Sequence, residues 1–277
     1  MKCPICSGTK KLKSVDYSQA KGYICCSKCD FIFWSINNTL DSSHEYGAEY
    51  WQMELNSGYE RSWGISIQRA AEVFLLCRKK ISSFVDIGTG AGYFLDAIGY
   101  YIPNSTVQFT GIELYPPALE FRSKHPGYAI GWLEKYENES IDAGICVEVL
   151  EHLTADQVAS LFHDLYLKAS NDAFFIFNTG LTNYVRNEDP DYLDPHTRGH
   201  ISIWSTKAIR ELLGDSGWNI HEFPHRSWAF IAEKSVNKQI DLDSRIWDIN
   251  PQNLETLTGE LKSNLLYLLA RDGLRAR

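Results

Sequence analysis

The segment Val85-Asp86-Ile87-Gly88-Thr89-Gly90-Ala91-Gly92 constrains this chain more than any other. A short apolar run, Phe84-Val85, ends in an acid and opens into three glycines at alternate positions. An amphipathic stretch follows at once, over residues 93–101. Strand, glycine turn and helix in that order bring backbone close to a nucleotide-like ligand. Glycine is needed where a Cβ would block the approach or where the turn demands positive φ. The dinucleotide fingerprint is G-x-G-x-x-G, with a pyrophosphate at the helix N-terminus. Here the spacing is G-x-G-x-G, and Asp86 stands where a pyrophosphate would be repelled. That favours a ligand with a cationic or hydroxylic face.

Around this turn, strand and helix patterns alternate. Apolar residues Ile65, Ala70, Val73, Phe74 and Cys77 recur at helical spacing within 62–80. Strands are expected at 83–86, 107–113, 128–132, 143–147 and 173–177. Helices are expected at 92–101, 117–124, 154–169 (capped by Thr154) and 206–216. Residues 178–204 read as a long loop, and 218–223 with 227–232 as a closing pair of strands. This alternation predicts an α/β fold, a doubly wound and mostly parallel sheet with helices on both faces. Ligands of such sheets bind beyond the carboxyl ends of the strands. Glu113, Glu148 and Asn178 all fall at such ends. A carboxylate at Glu113, 21 residues after Gly92, can accept both hydroxyls of a ribose.

The N-terminus carries a second signature. Cys3-Pro4-Ile5-Cys6 and Cys26-Ser27-Lys28-Cys29 form a CxxC…CxxC pair, and each half can bend into a knuckle offering two thiolates to one tetrahedral ion. Four sulfur ligands leave no open position, so the expected role of this zinc-ribbon module is structural. Cys25 adjoins Cys26 and could compete as a ligand; Cys77 and Cys146 read as packed thiols. The chain of 277 residues has a net charge of −8, unevenly spread. Residues 1–30 hold six lysines against two aspartates, so a small basic module precedes an acidic body. An acidic body is a poor partner for nucleic acid. No apolar run approaches the ~20 residues that span a bilayer, and no secretory leader is read, so a cytoplasmic protein is expected. The expected division is a ribbon at 1–34, a connector at 35–60 with scattered aromatics (Tyr46, Tyr50, Trp51, Tyr59), a ligand-binding domain at 61–234 and a helical tail at 235–277.

Taken together, these residues resemble class I S-adenosylmethionine-dependent methyltransferases over roughly residues 60–233. Phe84 to Gly92 resembles the family's first motif, and Gly111-Ile112-Glu113 its ribose-binding acid. Ser140 to Leu153, with Glu148-Val149-Leu150-Glu151-His152 at its end, is similar to the fourth-strand segment. Gly199-His200-Ile201-Ser202-Ile203-Trp204-Ser205 is similar to a segment before the penultimate helix. The resemblance implies a seven-stranded Rossmann-like sheet of order 3-2-1-4-5-7-6, with strand seven antiparallel. It implies S-adenosyl-L-methionine as cofactor. Asp86 would lie near the cofactor's ammonium, Gly88, Gly90 and Gly92 would let backbone approach it, and Glu113 would take the ribose hydroxyls. Leu114 would also contact the cofactor, Trp132 and Leu133 would flank the adenine, and Glu148 would lie at the next strand end. A ribbon ahead of this fold resembles sugar, glycan and natural-product methyltransferases.

Methyl transfer from a sulfonium needs an acceptor held in line and, for a hydroxyl, a base. His152, His196 and His200 are the candidate bases, since histidine titrates near neutrality. The expected acceptor is a sugar, glycan or other hydroxylated small molecule. A second arrangement is written in the same residues: Glu148, Glu151, His152 and His200 form a two-Glu, two-His set similar to the metal site of small-RNA 3′-terminal 2′-O-methyltransferases, where a divalent ion grips two hydroxyls. A third reading is a methyltransferase fold used as a binding or scaffold subunit. In the tail, Leu254, Leu257, Leu261, Leu265, Leu266 and Leu269 fall near one face of a helix over 254–269, able to cover the domain, pair with a second chain or dock a partner.

Overall fold

The computed structural model describes residues 1–9, 11–35, 47–223, 226–235 and 241–275. At the N-terminus, β1 (Leu12–Ser14), β2 (Tyr23–Cys26) and β3 (Phe31–Trp34) form an antiparallel meander. Helix α1 (Ala48–Arg61) runs through a π-helical stretch, Ser62–Ser66, into α2 (Ile67–Leu76). Then follow β4 (Ser83–Ile87), α3 (Tyr93–Tyr101), β5 (Gln108–Glu113), β6 (Tyr128–Ile130), β7 (Ile141–Val147), α4 (Ala155–Lys168) and β8 (Ala169–Asn178). After these come α5 (Thr182–Asn187), β9 (Ser202–Ile203), α6 (Thr206–Leu213), β10 (Asn219–Glu222) and β11 (Ala229–Glu233). The tail holds α7 (Leu242–Arg245), α8 (Pro251–Thr258) and α9 (Leu261–Arg275).

The main sheet has seven strands in the order β10-β11-β8-β7-β4-β5-β6. Counting its strands along the chain, this is 3-2-1-4-5-7-6 read from the β6 edge. Only β11 and its neighbours pair antiparallel; β4 through β8 are parallel. Strands buried on both faces are nearly all apolar, as a parallel sheet requires. Phe84, Phe174, Phe175, Phe177 and Phe230 are fully enclosed there. Every parallel strand ends on the same edge, and that edge carries the site.

The second sheet, β1-β2-β3-β9, ties the N-terminal ribbon to the body. β9 comes from the 178–204 stretch and pairs with β3, Ile32 opposite Ile203 and Phe33 opposite Ser202. That stretch is therefore ordered rather than a bare loop. It also contains α5 and a 3₁₀ turn at Pro190–Tyr192, where proline sets the first φ and Asp189 caps.

Three other expectations change. Of the connector, residues 36–46, including Tyr46, lie outside the described residues. Residues 48–61 are helical: Asn56, Ser57 and Gly58 resemble turn signals, but the flanking helix formers prevail. The helix expected at 117–124 is one 3₁₀ turn, Leu119–Phe121: Pro116 and Pro117 supply no backbone donors, Pro117 disfavours a helical Pro116 before it, and Ala118 has a ψ of 150°, outside the helical region. The single tail helix is two, broken at Gly259-Glu260. The break shifts the phase of the leucine stripe: Leu257 and Leu266 are buried, whereas Leu261, Leu265 and Leu269 are exposed. The tail does pack on its own body. Asn253 is buried and its side chain accepts from Ile81 N (2.9 Å) and donates to the Cys77 and Lys79 carbonyls (3.1 and 2.9 Å). No helix among the described residues is long and apolar enough to cross a membrane.

Candidate active site

A cavity of about 770 Å³ opens at the carboxyl ends of β4, β5 and β7. One end is the glycine turn. Gly88 and Gly90 have φ of +72° and +60°, which L side chains rarely adopt. A Cβ on Gly88 would stand 2.5 Å from Val149 Cγ2. Gly90 N donates to Glu113 Oε2 (2.8 Å) and Tyr115 N to Glu113 Oε1 (2.9 Å), so the carboxylate is fixed at the cavity wall with lone pairs to spare. Burial pushes the Glu113 carboxyl above its ordinary range. Asp86 is buried beneath the turn and accepts from Thr89 Oγ1 (2.7 Å). Burial, reinforced by Glu113, pushes it up to about 7.

The cofactor-side expectations separate here. Asp86, Gly88, Gly90, Glu113, Leu114, Trp132 and Glu148 line the cavity. Gly92 is not among the lining residues; its hydrogen would be replaced by a Cβ 2.5 Å from the Tyr128 ring, so it serves the packing of the turn. Leu133 is fully buried in the core behind the wall, because the 3₁₀ turn at Leu133–Lys135 rotates it inward. Trp132 is steadied by Nε1 donating to Asp164 (3.3 Å).

The roof is α1, which sequence reading left as connector. Trp51, Leu55, Gly58 and Ser62 recur at helical spacing and face the cavity, with Arg61 beside them, ion-paired to Glu54. The Trp51 indole lies over Gly90, and its Nε1 is buried with no hydrogen-bond partner among the described residues. The helical spacing of these residues was the signal available in the sequence. The π-helical stretch below, a device common at functional sites, turns Ser62 and Ser66 to the same wall.

At the other end, Glu148 leaves β7 with φ +54°, an uncommon conformation for a non-glycine residue and one that recurs at functional sites. Its carboxyl accepts from Asn178 Nδ2 (3.3 Å) and the Tyr192 hydroxyl (2.9 Å). The Tyr192 hydroxyl also lies 2.9 Å from Glu151, which accepts from Thr179 Oγ1 at 2.8 Å. Burial, and next the neighbouring Glu151, push Glu148 up to about 8. His152 lines the cavity; its Nδ1 lies 3.2 Å from Gly199 O. Burial, and next His200, drive it down to about 3, so its ring is neutral at physiological pH. His200 sits behind it, buried, rings 5.1 Å apart, with Nδ1 2.7 Å from Tyr192 O. Burial lowers His200 too. The ligand atoms of Glu151, His152 and His200 lie within 4.8 Å of one another; Glu148 lies outside that set but beside Glu151, with which it shares the Tyr192 hydroxyl.

His196 does not belong to this group. It is exposed and its ring meets Trp34 edge-on at 5.3 Å, outside the cavity, because the 194–197 turn is held on Asp194 and points it away. Tyr192, which bridges the two glutamates, had no motif to announce it.

The four N-terminal cysteines converge as expected. Cys3 and Cys29 sulfurs are 3.5 Å apart, Cys6 and Cys26 3.6 Å, and all four lie within 4.8 Å of one another. Cys25 points elsewhere, toward Arg186 Nη2 at 3.3 Å.

A mostly parallel sheet of this order, with a glycine turn and a buried acid at its carboxyl edge, defines a class I methyltransferase fold. Residues 56–222 match the family described as "Methyltransferase domain". The chain belongs to that family and is an S-adenosylmethionine-dependent methyltransferase. Among solved structures it is similar to a putative methyltransferase of Haloferax volcanii in complex with the Trm112 methyltransferase activator (14% identity, 68% of this chain and 96% of that one, TM-score 0.48). It is also similar to a SAM-dependent methyltransferase from Archaeoglobus fulgidus (16%, 67% and 99%, 0.47). A third is CalS10, an amino pentose methyltransferase from Micromonospora echinaspora (14%, 66% and 96%, 0.47). No curated protein matches the chain.

Proposed function

We propose that this enzyme methylates a hydroxyl of a sugar, glycan or other hydroxylated small molecule. One observation carries the reading: a single cavity joins the glycine cradle and Glu113 to a polar wall of Glu148, His152, Thr154 and Gln157. The cradle fits S-adenosyl-L-methionine. Backbone at Gly88 and Gly90 is open to close approach, Glu113 is fixed to receive two hydroxyls, Asp86 suits an ammonium, and the buried Trp51 Nε1 awaits an acceptor. Trp132 and Leu114 flank the adenine end. When bound, that cofactor supplies a methyl already activated on a sulfonium. The protein's part is to hold the acceptor oxygen in line and take its proton as the O–C bond forms and the C–S bond breaks. His152, neutral and at the cavity wall, is held weakly basic by burial, so it takes the proton as the O–C bond forms and the alkylated oxygen turns strongly acidic; His200 buttresses its ring, and Glu148 orients the acceptor.

The chain is read as a ribbon at 1–34, a catalytic body at 61–234 and a tail at 235–277, with α1 as the body's roof. The four cysteines suit structural Zn²⁺: tetrahedral ligation at about 2.3 Å places sulfurs about 3.8 Å apart, close to the Cys3–Cys29 and Cys6–Cys26 separations of 3.5 and 3.6 Å. A second reading rests on the Glu151, His152 and His200 cluster, which has the ligand chemistry for a divalent ion and for gripping paired hydroxyls at an RNA 3′ end. Labelled methyl transfer tests both. Transfer to a panel of free sugars and oligosaccharides, independent of added divalent ions and lost in His152→Ala, is expected. Transfer to short RNA that depends on an added divalent ion would replace the first reading with the second.

A further inference from the structure

The segment 199–204 is gripped from two sides. On one side is the turn bearing Glu148, Glu151 and His152. Ile201 N donates to Glu151 O (2.8 Å), Ser202 Oγ lies 2.9 and 2.8 Å from the Leu150 and Leu153 carbonyls, and Trp204 Nε1 donates to Leu150 O (3.1 Å). On the other side is the cysteine ribbon. β3 pairs with β9, and Trp34 N donates to Ile201 O (2.9 Å). Phe31 packs on Trp204 with ring centroids 4.5 Å apart. The fully buried Tyr23 donates its phenol to the His200 carbonyl. Asp30, held at φ +61° where the second knuckle closes, accepts from Thr182 Oγ1 (2.8 Å) and pairs with Arg186 on α5. Ser205, the cap of α6, donates to the carbonyl of Cys29 itself (3.2 Å).

The cofactor half is built differently. Residues 86–92 and Glu113 are held by β4 and β5, and among the described residues no hydrogen bond links them to the ribbon.

We propose that Tyr23 and Asp30 are positioning residues for the acceptor side: through the 199–204 segment and α5, the ribbon holds His152 and His200 in register, while the cofactor side stands without it. The inference rests on reading this cavity as a cofactor half and an acceptor half. A cysteine-bound ion at the far end of β3 then serves the chemistry without touching it. Any agent that strips the ion, a strong chelator or a thiol oxidant, loosens the acceptor side first.

Hydrogen–deuterium exchange on the full chain tests this without knowledge of the acceptor. Tyr23→Phe removes one buried hydrogen bond with little change of volume. The amides of His152 and Ile201 are expected to exchange roughly five- to tenfold faster, the worth of one such bond. The amides of Gly88, Thr89 and Gly90, the calorimetric affinity for S-adenosylmethionine and the zinc content are expected to stay unchanged. Wild-type protein stripped of metal is expected to show the same pattern more strongly. Unchanged protection at His152 and Ile201, or equal loss of protection across residues 86–92, would overturn the proposal. Failure of the wild type to bind S-adenosylmethionine would instead strike the cofactor reading and leave the exchange pattern to be judged alone. Protein isolated without metal would strike the zinc reading, and Tyr23→Phe would decide.

Discussion

Single residues at this site are set by burial more than by partners. Asp86 has one hydroxyl donor and lies out of water, so its carboxyl sits near neutrality rather than near 4. A cationic ligand favours the carboxylate. In the free protein the proton must therefore leave before an ammonium can be held, and binding must strengthen as pH rises toward 7. Affinity for S-adenosylmethionine, measured by calorimetry at pH 5.5, 6.5 and 7.5, is expected to weaken by up to about tenfold per unit below about 7. Asp86→Asn should flatten that dependence. A flat wild-type profile would remove Asp86 from the ammonium site. That Asp86, Gly88, Gly90 and Glu113 would share one wall was legible in the sequence because strand, turn and acid are local and evenly spaced. Gly92 and Leu133 lie off the cavity wall because of what packs behind them, the Tyr128 ring and the α/β core, which the sequence does not show. His196 was misjudged because its loop turns on Asp194, and no periodicity reports a loop's direction.

At the scale of elements, the pattern of apolar runs predicted every strand of the main sheet, and a cap sharpened the best-defined helix. Thr154 accepts from Gln157 N while the Gln157 side chain accepts from Thr154 N, a reciprocal box at the start of α4. Thr154→Ala should cost about 1 kcal/mol in urea unfolding, without change in the slope. A loss several times larger would mean that Thr154 does more than cap. Two elements escaped. The helix α1 was hidden by turn-forming residues in a polar stretch, although its cavity-facing positions keep helical spacing. β9 has two residues and exists because β3 presents a free edge beside it; no local signal reveals such a strand.

At the scale of the whole molecule, the ribbon and the tail lie on opposite sequence ends and brace different parts of one sheet. The ribbon reaches the acceptor side through β9. The tail reaches the far edge through Arg245, which donates to both oxygens of Glu233 on β11 and to Leu76 O while almost fully buried. Breaking such a pair strands a buried charge. Arg245→Met alone should destabilise by about 3–5 kcal/mol, and the double variant Arg245→Met, Glu233→Leu should recover most of that. Equal losses in single and double variants would show that packing, not the charge, is what Arg245 contributes. The pairing of tail and sheet joins residues far apart in sequence, so only the presence of a helical tail was legible beforehand, not its anchor.

The glycine cradle and Glu113 are the proposed seat of the sulfonium cofactor. Calorimetric titration of S-adenosylmethionine into wild type and Glu113→Ala tests it most directly. The account predicts saturable one-to-one binding to the wild type and a loss of at least about tenfold in the variant, the worth of charge-assisted hydrogen bonds to two ribose hydroxyls. No heat of binding to the wild type at millimolar cofactor, or equal affinity in both proteins, would contradict it.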